Sequence, residues 1–252
     1  MKLCPRGVNK FVWRCHKAVC DKTISIYAGT PFAFAKIHLS KVVMLMFYFA
    51  NEEPATKVRD YVKLSDKTIT QWYDICRGYC SKEMIRIDMK VGGPGHVVEI
   101  DETSLAKKQK YHRGKKYVEF WVFGGYDRST RNTHIISDLF ASYVSANTKH
   151  TLANEKSLKH LSYMHTWVNH SKDFKDPVTG AHTNGIEGCW EAKLKSKIKK
   201  MRGLKSMEQA AAIVDECLWR SWFFHPQALA EQKFKGLEHP HRSRLKATFF
   251  TG

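Results

Sequence analysis

The pattern of apolar and polar positions changes near residue 90, from helical spacing to the alternation of strands. From about Ile37, apolar residues recur at helical spacing in the segments KIHLSKVVMLMFYFA, ATKVRDYVK and DKTITQWYDICRGYC. Ser65 stands at the N-cap position of the third segment. The apolar face of that segment comprises Ile69, Trp72, Tyr73, Cys76 and Tyr79. The pattern predicts three consecutive helices, the last two joined by a short turn. These two form either a helix-turn-helix, with the start of the last helix facing base edges, or part of a plain three-helix packing unit.

The stretch KVGGPGH, residues 90–96, is rich in glycine and proline, and we place a domain boundary there. Beyond it, VVEIDET alternates and predicts a strand, and KYVEFWVFGGYDRS predicts a second strand with its turn. Residues 107–116, between these strands, predict a basic hairpin loop. THIISDLFASY predicts a short strand that runs into a helix, and YMHTWVNHS predicts a histidine-rich connection. Strands followed by helices indicate an α/β or α+β core.

The segment HTNGIEGCWEAKLKSKIKKMRG predicts an amphipathic helix with one buried stripe. The stripe comprises Ile186, Trp190, Leu194, Ile198 and Met201. Asn184 is the predicted N-cap, and Glu187, three residues later, completes a capping box. Capping alone would explain the presence of Glu187. A functional role for this residue requires other carboxylates that lie near it in the folded protein.

Charge and composition indicate a folded protein that binds a polyanion. The chain has 252 residues, of which 43% are apolar, and it carries a formal charge of +18. Nucleic acid is the favoured partner over an acidic membrane or a ribosome. The start of the chain lacks the apolar core of a signal peptide, and the apolar run at residues 42–50 is too short to span a bilayer. We expect a soluble protein that is not secreted and has no membrane partner. It would be nuclear in a eukaryotic host and cytoplasmic otherwise.

The cysteines make a disulfide framework an unfavourable interpretation, because their number is odd, at seven, and nothing indicates secretion. Cys4, Cys15 and Cys20 are candidate zinc ligands, and His16 could supply a fourth. A closed zinc site needs four well-placed ligands. A weak zinc site and a small hairpin with reduced cysteines both remain open.

Three acids stand at positions where strands end or a helix begins. Asp101 follows VVEI, Asp138 follows THIIS, and Glu187 lies in the first turn of the basic helix. A two-metal site for phosphoryl transfer needs such carboxylates, and Mg²⁺ prefers oxygen ligands. Acids at strand ends and helix starts are also common as caps or solvated charges. Spacing alone leaves both interpretations open.

Several stretches together resemble the Merlin-type DDE transposases, relatives of the bacterial insertion-sequence transposases. They are VVEIDET, KKYHRGKK, VFGGYDRS, ISDLFASY and, most specifically, YMHTWVNHSKDFKDPVTGAHTNGIEGCW. The resemblance covers nearly the whole chain and implies an α/β protein with four regions. These are a truncated zinc-ribbon-like segment at 1–36, a helix-turn-helix-like DNA-binding region at 37–90, a shortened ribonuclease-H-like DDE domain at 96–225 and a basic C-terminal tail at 226–252.

The resemblance also implies the site residues and partners. Asp101, Asp138 and Glu187 would be the catalytic acids that bind Mg²⁺ or Mn²⁺ in a two-metal site, with Asn184 beside Glu187. The partner would be double-stranded DNA, comprising the terminal inverted repeats and the target, bound by a homo-oligomer. Residues predicted to contact DNA are Lys67, Thr68, Thr70 and Gln71, then Lys107, Lys108, Lys110 and Arg113, and finally Lys193, Lys195, Lys197, Lys199 and Lys200.

The chain departs from the family pattern in the short spacing between its first two acids. Only residues 102–137 separate Asp101 from Asp138, where a ribonuclease-H-like core has two more strands and a helix. A strand and a helix are therefore expected to be missing, with one sheet edge unpaired. Three hypotheses follow: an active transposase, a transposase-derived DNA-binding protein with an impaired core or incomplete gene model, and a basic nucleic-acid-associated protein whose acids are structural.

Three histidines near the third acid lack a metal-binding spacing such as i, i+4. His165, His170 and His182 are therefore interpreted as loop histidines that hydrogen-bond backbone or phosphate.

Overall fold

The structure is a computed structural model, and it describes residues 1–6, 11–17, 19–30, 32–33, 35–87, 91–93, 95–105, 119–128, 134–157, 163–201, 204, 206–224, 228–236 and 247–251. The chain divides into two compact units, Met1–Cys76 and Arg77–Gly252. The division falls inside a long helix.

The first unit combines a small sheet with helices. Its antiparallel sheet has the order β1-β2-β3. The strands are β1 (Lys2–Pro5), β2 (Phe11–Arg14) and β3 (Thr23–Ser25). The helices are α1 (Leu39–Ala50), α2 (Ala55–Val62) and α3 (Asp66–Arg86), of which α3 continues into the second unit. The prediction of three consecutive helices is confirmed.

Helix α3 begins as its sequence predicts. The Thr68 N–H donates to Ser65 Oγ at 3.2 Å, so Ser65 caps the helix. The predicted apolar face is correct for the four residues from Ile69 to Cys76, which are buried, and wrong for Tyr79, which is exposed. Cys80 is buried instead, because it follows Ile69 by about three complete helical turns and therefore lies on the same face.

The second unit is built on a mixed five-stranded sheet of order β7-β6-β4-β5-β8. Its strands are β4 (Val97–Ser104), β5 (Trp121–Asp127), β6 (His134–Asp138), β7 (Met164–Val168) and β8 (Ala247–Thr251). Strand β4 is antiparallel to β5 and parallel to β6. Strand β7 is parallel to β6, and β8 is antiparallel to β5. The mixed α/β class is as predicted.

Most helical residues of the second unit lie between β7 and β8 in the sequence. The Glu187 segment is one continuous helical stretch of α4 (Asn184–Cys189), a π-helix (Trp190–Lys195) and α5 (Ser196–Lys200). Helices α6 (Met207–Phe223) and α7 (Ala230–Gly236) come after it. The predicted stripe is confirmed at Ile186, Trp190, Leu194 and Ile198, which are buried, whereas Met201 is partly exposed.

Three sequence predictions about this unit are wrong. The stretch YMHTWVNHS contains strand β7 and is not only a connection, because MHTWV pairs with β6. No α-helix follows β6 in described residues 139–157, where turns surround one 3₁₀ turn, Leu152–Asn154. The outer edge of β5 is not unpaired, since β8 from the far end of the chain hydrogen-bonds along it.

Candidate functional site

Two of the predicted acids lie on neighbouring strands. The parallel register pairs Val98 with Ile135 and Glu99 with Ile136. Continued by two residues, it brings Asp101 level with Asp138. The sequence predicted that both acids follow strands. Asp138 is indeed the last residue of β6, but Asp101 lies inside β4.

Asp101 is partly buried and hydrogen-bonded to the helix that follows Glu187. Its Oδ2 accepts a hydrogen bond from Trp190 Nε1 at 2.9 Å. Burial raises the pKa of Asp101 to about 7, the hydrogen bond from Trp190 opposes this rise, and the negative charge of Asp138 adds to it. The carboxyl group is therefore only partly ionised at neutral pH.

Asp138 interacts electrostatically with both other acids. Its Oδ1 accepts a hydrogen bond from the Phe140 N–H at 3.0 Å. Burial raises the pKa of Asp138, the Phe140 N–H and nearby His170 oppose the rise, and the charge of Glu187 adds to it. The charge of Asp138 therefore interacts both with Asp101 on β4 and with Glu187 on α4.

Glu187 lies in the first turn of α4 and is oriented by two side chains. Thr183 Oγ1 donates to Glu187 Oε1 at 2.7 Å, and His170 Nε2 lies 3.1 Å from the same oxygen. The His170 Nε2 is also 2.8 Å from Thr183 Oγ1. The Glu187 side chain is 44% exposed, so solvent reaches this acid.

The predicted capping box at Asn184 is wrong. The N-cap residue is Thr183, whose hydroxyl donates to Glu187 and makes no capping bond to backbone. The capping group comes instead from strand β4, because the Ile186 N–H donates to Glu99 Oε2 at 2.9 Å. Asn184 Oδ1 is buried without a hydrogen-bond partner among the described residues.

Sequence reasoning missed a buried ion pair beside the acids. Glu99, on β4, pairs with Arg128, the residue directly after β5. Arg128 Nη2 donates to the His182 backbone oxygen at 2.6 Å and lies 2.9 Å from His182 Nδ1. Little in the sequence signals this pair, because Glu99 shares its strand face with a mostly polar set that does not mark the face as buried, namely Val97, Asp101 and Thr103.

Gly185 allows α4 to begin close to the sheet. A Cβ atom at this position would lie 2.4 Å from Tyr126 Cε1 and 2.9 Å from Glu99 Oε1. Neither distance is tolerated in a packed protein, so glycine is required by the close approach of the helix start to β4 and β5.

The predicted zinc residues form two pairs. Cys4 Sγ lies 3.6 Å from His16 Nε2. The backbone N–H of Lys17 and a hydrogen bond with Cys20 lower the pKa of Cys15. Within the described ranges, no group of three or more His, Cys, Asp or Glu side chains is arranged to hold a metal ion, either here or at the three acids.

The residues predicted to contact DNA fall into several groups. At the start of α3, Lys67, Thr70 and Gln71 are exposed, whereas Thr68 is partly buried and hydrogen-bonds Ser65. Lys107, Lys108, Lys110 and Arg113 lie outside the described residues.

The lysines of the basic helix differ in their surroundings. Lys193, Lys199 and Lys200 are exposed. Lys195 pairs with Glu191 at 2.8 Å, and Lys197 pairs with the buried carboxylate of Glu216 at 2.5 Å. The charge of Lys197 is therefore already matched by an internal acid.

The histidines are not all in loops. His165 lies in β7, where it is buried with its Nε2 2.9 Å from Ser137 Oγ, so the loop interpretation is wrong for this residue. Burial lowers the pKa of His165 to about 4. His170 and His182 lie outside strands and helices and contact Thr183 and Arg128, respectively.

Comparison with known proteins found no family model that matches this chain and no curated protein that matches it. Among the helices of the described ranges, none is long and apolar enough to cross a membrane.

Proposed function

We propose that this chain is a DDE transposase-like protein that binds DNA and transfers its strands by metal-dependent phosphoryl chemistry. The observation that carries the proposal is the position of Asp101 level with Asp138 on adjacent parallel strands, with the helix of Glu187 hydrogen-bonded to Asp101 through Trp190. Burial is the main cause of the raised pKa values of Asp101 and Asp138; the charge of Asp138 adds to the first shift and the charge of Glu187 adds to the second. Clustered, partly desolvated carboxylates with displaced pKa values are typical of functional sites.

The sheet supports a shortened ribonuclease-H-like domain. Strand β4 carries the first acid, its antiparallel neighbour is β5, and its parallel neighbour β6 carries the second acid. Strand β8 pairs with β5 at the edge where a third strand would be expected. Asp101 and Asp138 therefore lie level on adjacent strands although few residues separate them along the chain.

The donor set is chemically suited to Mg²⁺ or Mn²⁺, since it consists of carboxylate oxygens, although in this structure the three described acids are not arranged around one metal position. Asp101, Asp138 and Glu187 would hold the metal. A bound divalent cation would favour the ionised carboxylates that burial and mutual repulsion disfavour, and it would supply activation of water or a 3′ hydroxyl and stabilisation of the leaving oxygen. Trp190 would keep Asp101 in position, and Thr183 would orient Glu187.

Charge and helices support DNA as the substrate. The formal charge is +18, and exposed lysines Lys193, Lys199 and Lys200 follow Glu187 on the same helical stretch. Helices α2 and α3 are joined by the three residues 63–65, as in a helix-turn-helix, and α3 begins with exposed Lys67 and Gln71. Binding as a homo-oligomer and nuclear location in a eukaryotic host stay predictions, as does zinc at Cys4, Cys15 and Cys20, which metal analysis of the purified protein checks.

The test uses the full chain, Mn²⁺ and a duplex carrying terminal repeats from the DNA that flanks the coding sequence. We expect Mn²⁺-dependent strand cleavage that Asp101→Asn and Glu187→Gln each abolish, with DNA binding nearly unchanged. Asp173→Asn, at an exposed acid outside the site, is the matched control and should cleave normally. Cleavage that persists in Asp101→Asn would contradict the proposal.

A second candidate is a transposase-derived DNA-binding protein with an impaired catalytic core. It is favoured by the sheet, because only residues 128–133 separate β5 from β6, too few for a further strand and a helix. Salt-sensitive DNA binding without cleavage by the wild-type chain, under conditions in which an intact transposase of this type cleaves, would select this candidate.

A further inference from the structure

The buried carboxylate of Glu99 lies two residues before Asp101 on the same face of β4. It is 1% exposed. Removing a carboxylate from water is strongly unfavourable unless charged and hydrogen-bonding partners compensate. A simple helix cap does not require such a group, since an exposed Ser or Asn would do the same.

The partners of Glu99 come from two other segments. Its Oε2 accepts the Ile186 N–H, and its Oε1 accepts from Arg128 Nε. Arg128 in turn binds the backbone oxygen of His182, just before α4. These contacts join the strand of Asp101, the end of β5 and the first turn of the helix that carries Glu187.

The fit leaves little freedom to the helix start. Gly185 lies so close that a Cβ would meet Glu99 and Tyr126. One turn later, Trp190 Nε1 donates to Asp101. The helix is therefore attached to β4 at two points, one beside Glu187 and one at Asp101 itself.

We propose that Glu99 and Arg128 are positioning residues that hold the first turn of α4 so that Glu187 faces the strand pair of Asp101 and Asp138. This inference rests on the proposed function. Displacement of a reacting group by about 1 Å can cost on the order of a hundredfold in rate. Groups that orient metal ligands commonly change metal affinity by about 10- to 100-fold when they are replaced.

The test measures how Mn²⁺ raises the thermal unfolding midpoint of the full chain, in addition to strand cleavage. Glu99→Gln keeps the shape of the side chain and an acceptor for the Ile186 N–H, but it removes the charge that Arg128 requires. We expect this variant to fold and to need about 10- to 100-fold more Mn²⁺ for half of the maximal stabilisation. Cleavage should fall in parallel.

Glu216→Gln is the matched control. Glu216 is an equally buried glutamate, and its ion-pair partners Arg77, Lys197 and Arg220 lie on α3, α5 and α6. Its replacement should lower the midpoint without metal yet leave the Mn²⁺ dependence within about twofold, since it changes no group that orients the acids.

Arg128→Lys keeps the positive charge and loses the forked contact, so it is the milder variant if Glu99→Gln does not fold. It should shift the Mn²⁺ dependence in the same direction by a smaller factor. An unchanged Mn²⁺ dependence in the folded variant at Glu99 or Arg128 would overturn the positioning role. A wild-type chain that Mn²⁺ does not stabilise would overturn the proposed function itself, and the positioning role with it.

Discussion

At the scale of single residues, Asp101 combines two properties that are unfavourable for an acid whose only role is structural. It is partly buried, and the nearby charge of Asp138 has the same sign. Both effects favour the protonated form, and they raise the pKa from 3.8 to about 7. An acid kept for stability alone would be expected beside a cation, as Glu216 is.

This pKa makes stability depend on pH in a predictable direction. Between about pH 4 and pH 7 the folded state holds the Asp101 proton more tightly than the unfolded state, so the contribution of this group falls as pH rises. Asp101→Asn should therefore raise the free energy of unfolding by on the order of 2 kcal/mol at pH 8, after allowance for solvent screening, and by much less at pH 4. Denaturant unfolding at several pH values measures the difference. The same pH dependence in wild type and Asp101→Asn would contradict the assignment, and Asp173→Asn shows the effect of losing an exposed acid.

At the scale of elements, the stretch from α4 to α5 carries the third acid and the basic residues together. The π-helix begins at Trp190, the residue whose indole reaches Asp101. Such π-segments are frequent at functional sites. Beyond it, Lys197 is matched by the buried Glu216. Lys195 and Lys199 both lie near the exposed Glu191, so only part of the positive charge of the basic run is available to a polyanion.

The exposed lysines should determine the salt dependence of DNA binding. Replacing Lys193, Lys199 and Lys200 together with Gln should reduce the slope of log affinity against log salt by roughly 2–3, because each phosphate contact contributes about 0.9. Fluorescence anisotropy across a salt series measures the slope. Lys149, Lys156 and Lys172, which are also exposed, provide a control set with the same loss of charge. Equal slopes for the two triple variants would exclude the basic helix as a specific DNA contact.

At the scale of the whole molecule, the second unit closes its sheet with a strand from the far end of the chain. The order β7-β6-β4-β5-β8 places β8 outside β5, with five residue pairs in register from Val122–Thr251 to Tyr126–Ala247. A segment interpreted from the sequence as a basic tail therefore contains a strand of the sheet that carries the acids.

Removal of residues 247–252 should destabilise this unit and expose the edge of β5. Each lost backbone hydrogen bond contributes about 0.5–1.5 kcal/mol net, partly offset by the freedom that the released segment regains. We expect a lower unfolding midpoint and concentration-dependent association, because exposed edges pair with other chains. Calorimetry and light scattering measure the two effects. A truncated chain with an unchanged midpoint would show that β8 adds nothing to the stability of the sheet.

The sequence by itself determined the features that depend on neighbours along the chain. The helices of residues 39–86 follow from apolar periodicity. The start of α3 follows from Ser65, whose hydroxyl accepts a hydrogen bond from the N–H of Thr68, three residues later. The buried stripe from Ile186 to Ile198 follows from the same rule. These signals are local, so a reading of one segment at a time is sufficient for them.

Only the tertiary structure decided which distant segments meet. The cap of α4 comes from Glu99, 87 positions earlier in the chain, and it displaced the local cap predicted at Asn184. The pairing of β8 with β5 and the role of Arg128 are of the same kind. No periodicity encodes these contacts, because they arise from the order of strands in the sheet and from the need of a buried carboxylate for a charged partner.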